Sequence, residues 1–344
     1  MHSSSEPRNR SRATIDDVAS KADVSIATVS RVINQTGLVA IKTRERVMAA
    51  IAELNYRPQT AAQVLASRKT NTVGLFLSEI SGEFFSHILR GIEAAARENG
   101  FGLLVYSTQN GLAHDSIKPL PLGEHNTDGL VVYVGSLSDR ELFRLNKVGF
   151  PVVLIHRSSP ADIEIPCVTI ENKLGTRKMI DHLIQEHGYR RIAFLTGKEE
   201  QEDSHWREIG YRESLASHNI PFDPELIGFG GFNREQAESV VDKWLSDGLE
   251  FDAVFSGDDE AAIGVLTALK VAGKGVPEDV AVVGFDDTYL AQYLTPPLTT
   301  VRAPIEQVGR EAISLLVQLI QGDKTEPIVL LPTELMIRQS CGCV

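Results

Sequence analysis

TIDDVASKADVSIATVSRVIN, residues Thr14 to Asn34, has the pattern of two short helices joined by a tight turn. Thr14 can cap the first helix, and Asp17 three residues on completes a capping-box pattern. Asp16 and Asp17 then occupy the first turn, where the helix dipole favours negative charge. Ile15, Val18 and Ala19 fall at helical spacing and form an apolar stripe. Ala22-Asp23-Val24 breaks the period, and Ser25 offers a second N-cap. In the helix that follows, Thr28, Ser30, Arg31 and Asn34 take the polar side, while Val29, Val32 and Ile33 take the other. A helix bearing small hydroxyls and one arginine, packed on a preceding helix, suits the major groove of DNA. An ordinary helical hairpin would read the same way.

The flanking residues separate the two readings. RERVMAAIAELNY (44–56) is a third amphipathic helix, with Val47, Ile51 and Leu54 on one face. RPQTAAQVLASRKTNTVGLF (57–76) then runs through a proline into a short helix and on into a strand. Four motifs stand in order: T-x-x-D-V-A from Thr14, V-S-x-x-T-V-S-R-V-x-N from Val24, T-R-x-x-V from Thr43 and L-x-Y-x-P from Leu54. In combination they resemble the head of the lactose/galactose repressor (LacI) family of bacterial transcription regulators. The resemblance continues nearly to the C-terminus.

Charge divides along the same line. The 344 residues carry a formal net charge of −12, but residues 1–72 hold 11 Lys/Arg against 6 Asp/Glu, and the remainder 23 against 40. A basic module on an acidic body confines phosphate attraction to one end. The length implies two or three domains. With 42% hydrophobic and 23% charged residues, the composition is that of a soluble globular protein. No apolar run approaches the roughly 20 residues needed to cross a bilayer. MHSSSEPRNRSRA has no apolar segment of the kind a secretion signal needs, so the expected location is cytoplasmic. Cys167, Cys341 and Cys343 cannot build a disulfide framework, and no zinc-binding spacing is present. Cys341-Gly-Cys343 reads as a frayed tail, with metal ligation or oxidation as the alternative. No metal and no cofactor are expected.

Beyond Asn71 the pattern alternates. TVGLFL, GLLVYST, DGLVVYVG, PVVLIHR, RIAFLTG, AVFSG and VAVVGFDD are apolar strands between amphipathic helices, which implies parallel sheets covered on both faces. The resemblance implies an all-α helix-turn-helix head with a hinge helix, and an α/β core like the periplasmic binding proteins, made of two Rossmann-like subdomains. The expected divisions are a disordered arm (1–12), a DNA-binding domain (13–58), a hinge helix and linker (59–70) and an effector-binding and dimerisation core (71–344). Within the core, subdomain one takes about 71–171 and 303–333, and subdomain two about 172–302 and 334–344.

Site residues follow from the same source. Base readout falls to Ile26 and Ala27, the first exposed positions of the recognition helix, which can touch thymine methyls. Ser25, Thr28, Ser30 and Asn34 suit phosphates, Arg31 reaches phosphate or guanine, and Thr14 is also expected among the DNA-binding residues. Leu65 matches the family's hinge-helix leucine, an apolar wedge for the minor groove. For the effector, Arg207 heads the match to R-x-x-G-[YFW] and is expected at the start of a helix. Asp286 and Asp258 lie beyond strand ends, where open α/β sheets bind ligands. Asp286 matches the first Asp of G-[YF]-D-[DN]. Phe232 falls at an aromatic platform, and Phe84 and Phe85 fall in a loop that closes over the ligand.

Five departures stand out. Asp23 replaces a glycine in the turn and must adopt a left-handed conformation. Ala40 replaces a serine cap on the third helix, a loss of about 1 kcal/mol. Asp258 replaces an Asn, exchanging a donor-acceptor for a pure acceptor. His156 replaces an Asp before Arg157. The loop GLAHDSIKPLPLGEHNT (111–127) lacks the amphipathic helix expected between two strands.

The implied protein is a dimeric repressor on near-palindromic double-stranded operator DNA, controlled by a small molecule, a sugar before others. Corepression, or a nucleoside or purine effector, is the alternative within the family. A solute-binding protein for transport shares the core but not the basic head. An enzyme using Asp258-Asp259-Glu260 on a metal is a third reading, and no P-loop, G-x-G-x-x-G, G-x-S-x-G or H-E-x-x-H motif supports it.

Overall fold

The computed structural model describes residues 13–34, 36–56, 69–108 and 120–344, in two compact units divided at Thr70 and Asn71. The described residues of the first unit form three helices: α1 (Ile15–Ala22), α2 (Ile26–Asn34) and α3 (Ile41–Glu53). The capping box is present. Asp17's amide donates to Thr14 Oγ1 at 3.3 Å, and Thr14's amide to Asp17 Oδ2 at 2.8 Å. Asp23 closes α1 at φ 49°, ψ 56°, so the side chain bears the left-handed turn as expected. Val18, Val29 and Val47, one from each helix, are wholly buried together. α3 starts three residues earlier than its apolar pattern indicated, because Ile41 is exposed and left no periodic signal. Ala40 gives it no side-chain cap.

The second unit has two six-stranded sheets. Sheet one is built from β1 (Thr72–Leu77), β2 (Gly102–Ser107), β3 (Gly129–Tyr133), β4 (Val152–Ile155), β5 (Cys167–Ile170) and β11 (Ile328–Leu331), in the order β11-β5-β4-β3-β1-β2, all parallel. α4 (Glu83–Glu98) and α10 (Ile305–Gln321) pack against each other on this half, which also carries α5 (Asp139–Lys147). Sheet two is built from β6 (Ile192–Thr196), β7 (Ile227–Phe229), β8 (Ala253–Ser256), β9 (Ala281–Asp286), β10 (Thr299–Arg302) and β12 (Glu334–Met336). Its order is β12-β10-β9-β8-β6-β7, with only the β10–β12 pair antiparallel. α6 (Asn172–His187), α7 (Glu202–Ser217), α8 (Arg234–Ser246) and α9 (Asp259–Val271) accompany it. Every residue of β3, β4 and β8 is buried, as parallel strands covered on both faces require.

The described chain passes between the halves three times: from β5 into α6, from β10 into α10, and from β11 into β12. Five short strands (β5, β7, β10, β11, β12) and α5 were not anticipated from the pattern. The C-terminal tail is not frayed. Ser340 Oγ accepts from the Thr299 amide at 2.8 Å and donates to the Val282 carbonyl at 2.6 Å, and Cys341 is wholly buried. Among the described residues no helix is long and apolar enough to cross a membrane.

Candidate functional site

The two sheets direct the carboxyl ends of β1, β3, β6, β8 and β9 at one cleft, lined by Glu79, Phe84, Phe85, Tyr133, Asp203, Arg207, Phe232, Asp258 and Asp286 among others. At its centre is Arg207, 3% exposed. It does not start a helix. α7 begins at Glu202, because Glu202 and Asp203 complement the helix dipole in the first turn, and Arg207 sits in the second. Its Nε donates to Asn172 Oδ1 at 2.8 Å, Nη1 donates to the Gly257 carbonyl, and Nη2 lies 3.6 Å from Asp286 Oδ1. The guanidinium stands 3.7 Å from the centre of the Phe285 ring. Two of its five N–H groups are engaged in these hydrogen bonds and a third faces Asp286, so it has donors to spare. The glycine of the R-x-x-G motif has a steric role here. A Cβ on Gly210 would fall 2.4 Å from the Lys173 carbonyl oxygen, so only glycine lets α7 lie this close to α6. That approach sets Arg207 against Asn172.

Asp286 is held at φ 105°, an unfavourable conformation for any side chain but glycine. Its Oδ1 is buried and accepts no hydrogen bond from the described protein, which marks a place for a ligand's donor. Burial pushes this carboxyl up, against the pull of Arg207. Behind it, Asn172 Nδ2 donates to Asp203 Oδ1 at 2.7 Å, and His156 Nδ1 lies 2.9 Å from Asp203 Oδ2. Burial works to raise Asp203, but the His156 ring, Arg207 and the Asn172 amide outweigh it and hold the carboxyl below the usual range. His156 is 1% exposed, and its Nε2 has no partner among the described residues.

Aromatic rings wall the cleft. Phe84 and Phe85, in the first turn of α4, meet edge to face at 5.4 Å between centroids, and Tyr133 lies 5.3 Å from Phe85. Phe232, at φ 57°, lies over Gly197, where a Cβ would fall 2.0 Å from its Cζ. Three hydrogen bonds, between two residue pairs, span the cleft's lips. The Tyr289 amide donates to Glu83, and Ser158 donates to Glu202 from its amide and its hydroxyl, each at 2.8 Å.

Asp258 is placed differently from the other acids. Its Oδ1 caps α9 by accepting from the Ala261 amide at 2.8 Å, so one oxygen is already engaged. Burial, reinforced by Asp286, raises its pKa to about 7. The side chain is therefore not a pure acceptor: near neutrality a large fraction carries a proton it can donate. The shift also predicts a pH dependence. Because the folded chain holds this proton more tightly than the unfolded one, the group's contribution to stability is complete below about pH 4 and is lost as pH rises through about 7. Asp258→Asn keeps a capping oxygen and removes the ionisation. Urea unfolding at about pH 5 and about pH 8 is expected to show the wild type losing about 2–3 kcal/mol relative to this variant. Parallel profiles would mean that the carboxyl ionises normally.

The acidic run does not gather on a point. Asp259 accepts from Thr300 Oγ1 at 2.6 Å and from the Thr288 amide at 2.7 Å, a strut between α9 and the ends of β9 and β10. Glu260 pairs with Arg234 at 2.9 Å. Asp258-Asp259-Glu260 thus offers no shared site for a metal.

In the head, Ser25, Ile26, Ala27, Arg31 and Asn34 are exposed along α2, with Thr28 and Ser30 half-buried. Ser25 caps the helix: the Thr28 amide donates to its Oγ at 3.2 Å. Asn34 Nδ2 donates to Ser30 Oγ at 3.2 Å. Thr14 is exposed, with its hydroxyl donating to Asp17 Oδ2 at 2.8 Å. The arm of residues 1–12, the hinge segment with Leu65 and much of the atypical loop lie outside the described residues. Sequence reasoning did not single out Asn172, Asp203 or Tyr133, and it noted His156 only as a departure.

Comparison with known proteins agrees with this division. Residues 14–59 match the family of bacterial regulatory proteins, lacI family, and residues 180–341 match a periplasmic binding protein-like domain. The transcriptional regulator CelR of Thermobifida fusca is 36% identical over 96% of this chain and 99% of its own. Catabolite control protein A of Priestia megaterium is 34% identical over 95% and 98%. Among solved structures, a CelR–cellobiose complex superposes with a TM-score of 0.68 at 33% identity, covering 96% of this chain and all of the other. The lac repressor dimer bound to operator and the anti-inducer ONPF gives 0.82 at 27% identity, covering 96% and 99%.

Proposed function

The chain belongs to the LacI family of bacterial regulatory proteins, and from that premise we propose that it is a cytoplasmic, dimeric, operator-binding transcriptional repressor whose grip on DNA is set by a sugar held between the two halves of the core. It is a regulator and not an enzyme. The observation that carries the effector reading is the pairing of Arg207, with N–H groups to spare, and Asp286, with an unsatisfied buried oxygen, between aromatic walls. A polyhydroxyl ligand supplies both a donor for Asp286 and an acceptor for Arg207, while Phe84, Tyr133 and Phe232 offer ring faces to its C–H surfaces. The cellobiose complex of a relative supports a sugar. The head reads DNA with Ile26 and Ala27 at base edges, and with Thr14, Ser25, Thr28, Ser30, Arg31 and Asn34 at the backbone or guanine. Leu65 supplies the hinge wedge. One such head reads few bases, so two related by a twofold axis are required for a near-palindromic site.

Effector binding is expected to change operator affinity by one to two decades, the usual size of an allosteric coupling of about 1–3 kcal/mol. Titrating the full chain against duplexes from its own locus, with and without each of a panel of mono- and disaccharides, measures this. A fall in affinity assigns induction and a rise assigns corepression. A sugar that binds the core by calorimetry yet leaves operator affinity unchanged would defeat the allosteric reading.

A further inference from the structure

Away from the cleft, two histidines and two cysteines meet beneath the C-terminus. We propose that His182, His187, Cys341 and Cys343 hold one zinc ion in a closed four-ligand site that fastens the end of the chain to α6. One donor atom from each residue lies within 4.8 Å of the others. Cys343 Sγ stands 3.4 Å from His187 Nε2 and 3.8 Å from His182 Nε2. A tetrahedral centre with Zn–S of about 2.3 Å and Zn–N of about 2.0–2.1 Å sets sulfur and nitrogen about 3.5 Å apart. Two edges therefore already bracket the required length, and drawing the widest pair together takes about 1 Å of side-chain rotation. Two imidazoles and two thiolates are the borderline-to-soft donor set that suits zinc better than calcium or magnesium. With all four positions filled by protein no place is left for a substrate, so the ion is structural.

The scaffold delivers these groups without the metal's help. His182 and His187 lie on the last turns of α6, and the His187 ring stacks on Tyr189 with centroids 5.4 Å apart and planes 17° from parallel. The tail is led there by Ser340, tied to Thr299 and Val282, and Tyr189's hydroxyl donates to the Cys341 carbonyl at 3.2 Å. Cys341 is buried beneath the ion, while Cys343 and both histidines are half-buried at the rim, so zinc can enter from solvent. Thiol protons are released as the metal binds, and no oxidant is involved.

The test uses the reduced full-length chain, stripped with a chelator and reloaded with Zn²⁺ alone or Co²⁺ alone. The wild type is expected to retain one zinc per chain after dialysis, to melt at a higher temperature with zinc than without, and to give the intense visible and thiolate charge-transfer bands of tetrahedral cobalt. Cys343→Ser and His182→Gln alter half-buried rim positions and change side-chain size little. Each is expected to weaken zinc binding by about two orders of magnitude or more and to abolish the zinc-dependent rise in melting temperature. The proposal is overturned if the wild type keeps no stoichiometric zinc, or if both variants hold it as tightly as the wild type does.

Discussion

Arg207→Ala is expected to erase effector binding while sparing the operator-binding head. Among the described residues the guanidinium is the only side-chain cation in ion-pair range of Asp286, and it also anchors the Asn172–Asp203 pair. Losing a hydrogen bond from a buried charged donor to the ligand costs about 1.5–3 kcal/mol, so effector affinity measured by calorimetry should fall at least about 10-fold. Stability suffers as well. Asp286 would be left buried without its nearest counter-ion, and Asp203 with only the His156 ring and the Asn172 amide beside it, a loss of about 3–5 kcal/mol in urea unfolding. Adding Asp286→Asn should return part of that stability, because the stranded charge is gone, but none of the binding. A variant that unfolds at the wild-type urea concentration and still binds its sugar would show that the guanidinium is not the centre of the site.

Arg31→Ala has the largest expected effect on DNA. Arg31 is the only cation within α2, and it is exposed in the last turn, while its neighbours on that face carry short hydroxyls and an amide. Loss of a bidentate guanine contact costs about 1–3 kcal/mol and relaxes preference at one base pair. Loss of a phosphate contact instead weakens all duplexes alike and lowers the slope of log K against log salt by about 0.9. Gel-shift titrations on operator and scrambled duplex at several salt concentrations separate the two. Binding equal to wild type on both duplexes would remove Arg31 from the interface.

What could be read in advance was whatever is local. The capping box at Thr14, the left-handed turn at Asp23 and the absent cap at Ala40 depend on residues within a few positions of each other, and each appears in the structure. The apolar strands of the alternating region were legible for the same reason. β5, β7, β10, β11 and β12 were not, because, unlike the equally short β4 and β8, none is buried throughout, and pairing with distant strands defines them. Arg207 was placed at a helix start because no apolar period precedes it, although Glu202 and Asp203 hold a turn and a half of helix before it. Asn172 and Asp203 escaped notice because their significance lies in the contact of α6 with α7, which Gly210 allows. The histidine and cysteine pairs show the same limit. Neither spacing signals a metal, and only the return of the tail beside α6 brings them to one point.

The three passages of the chain between the sheets bear on how this protein can be taken apart. Neither lobe is a continuous stretch of polypeptide: one is completed by residues 305–331 and the other by 334–341. No single breakpoint therefore yields an exchangeable half. A chimera that swaps one lobe for a relative's needs three junctions, near 171, 303 and 332, whereas the head can be exchanged at one.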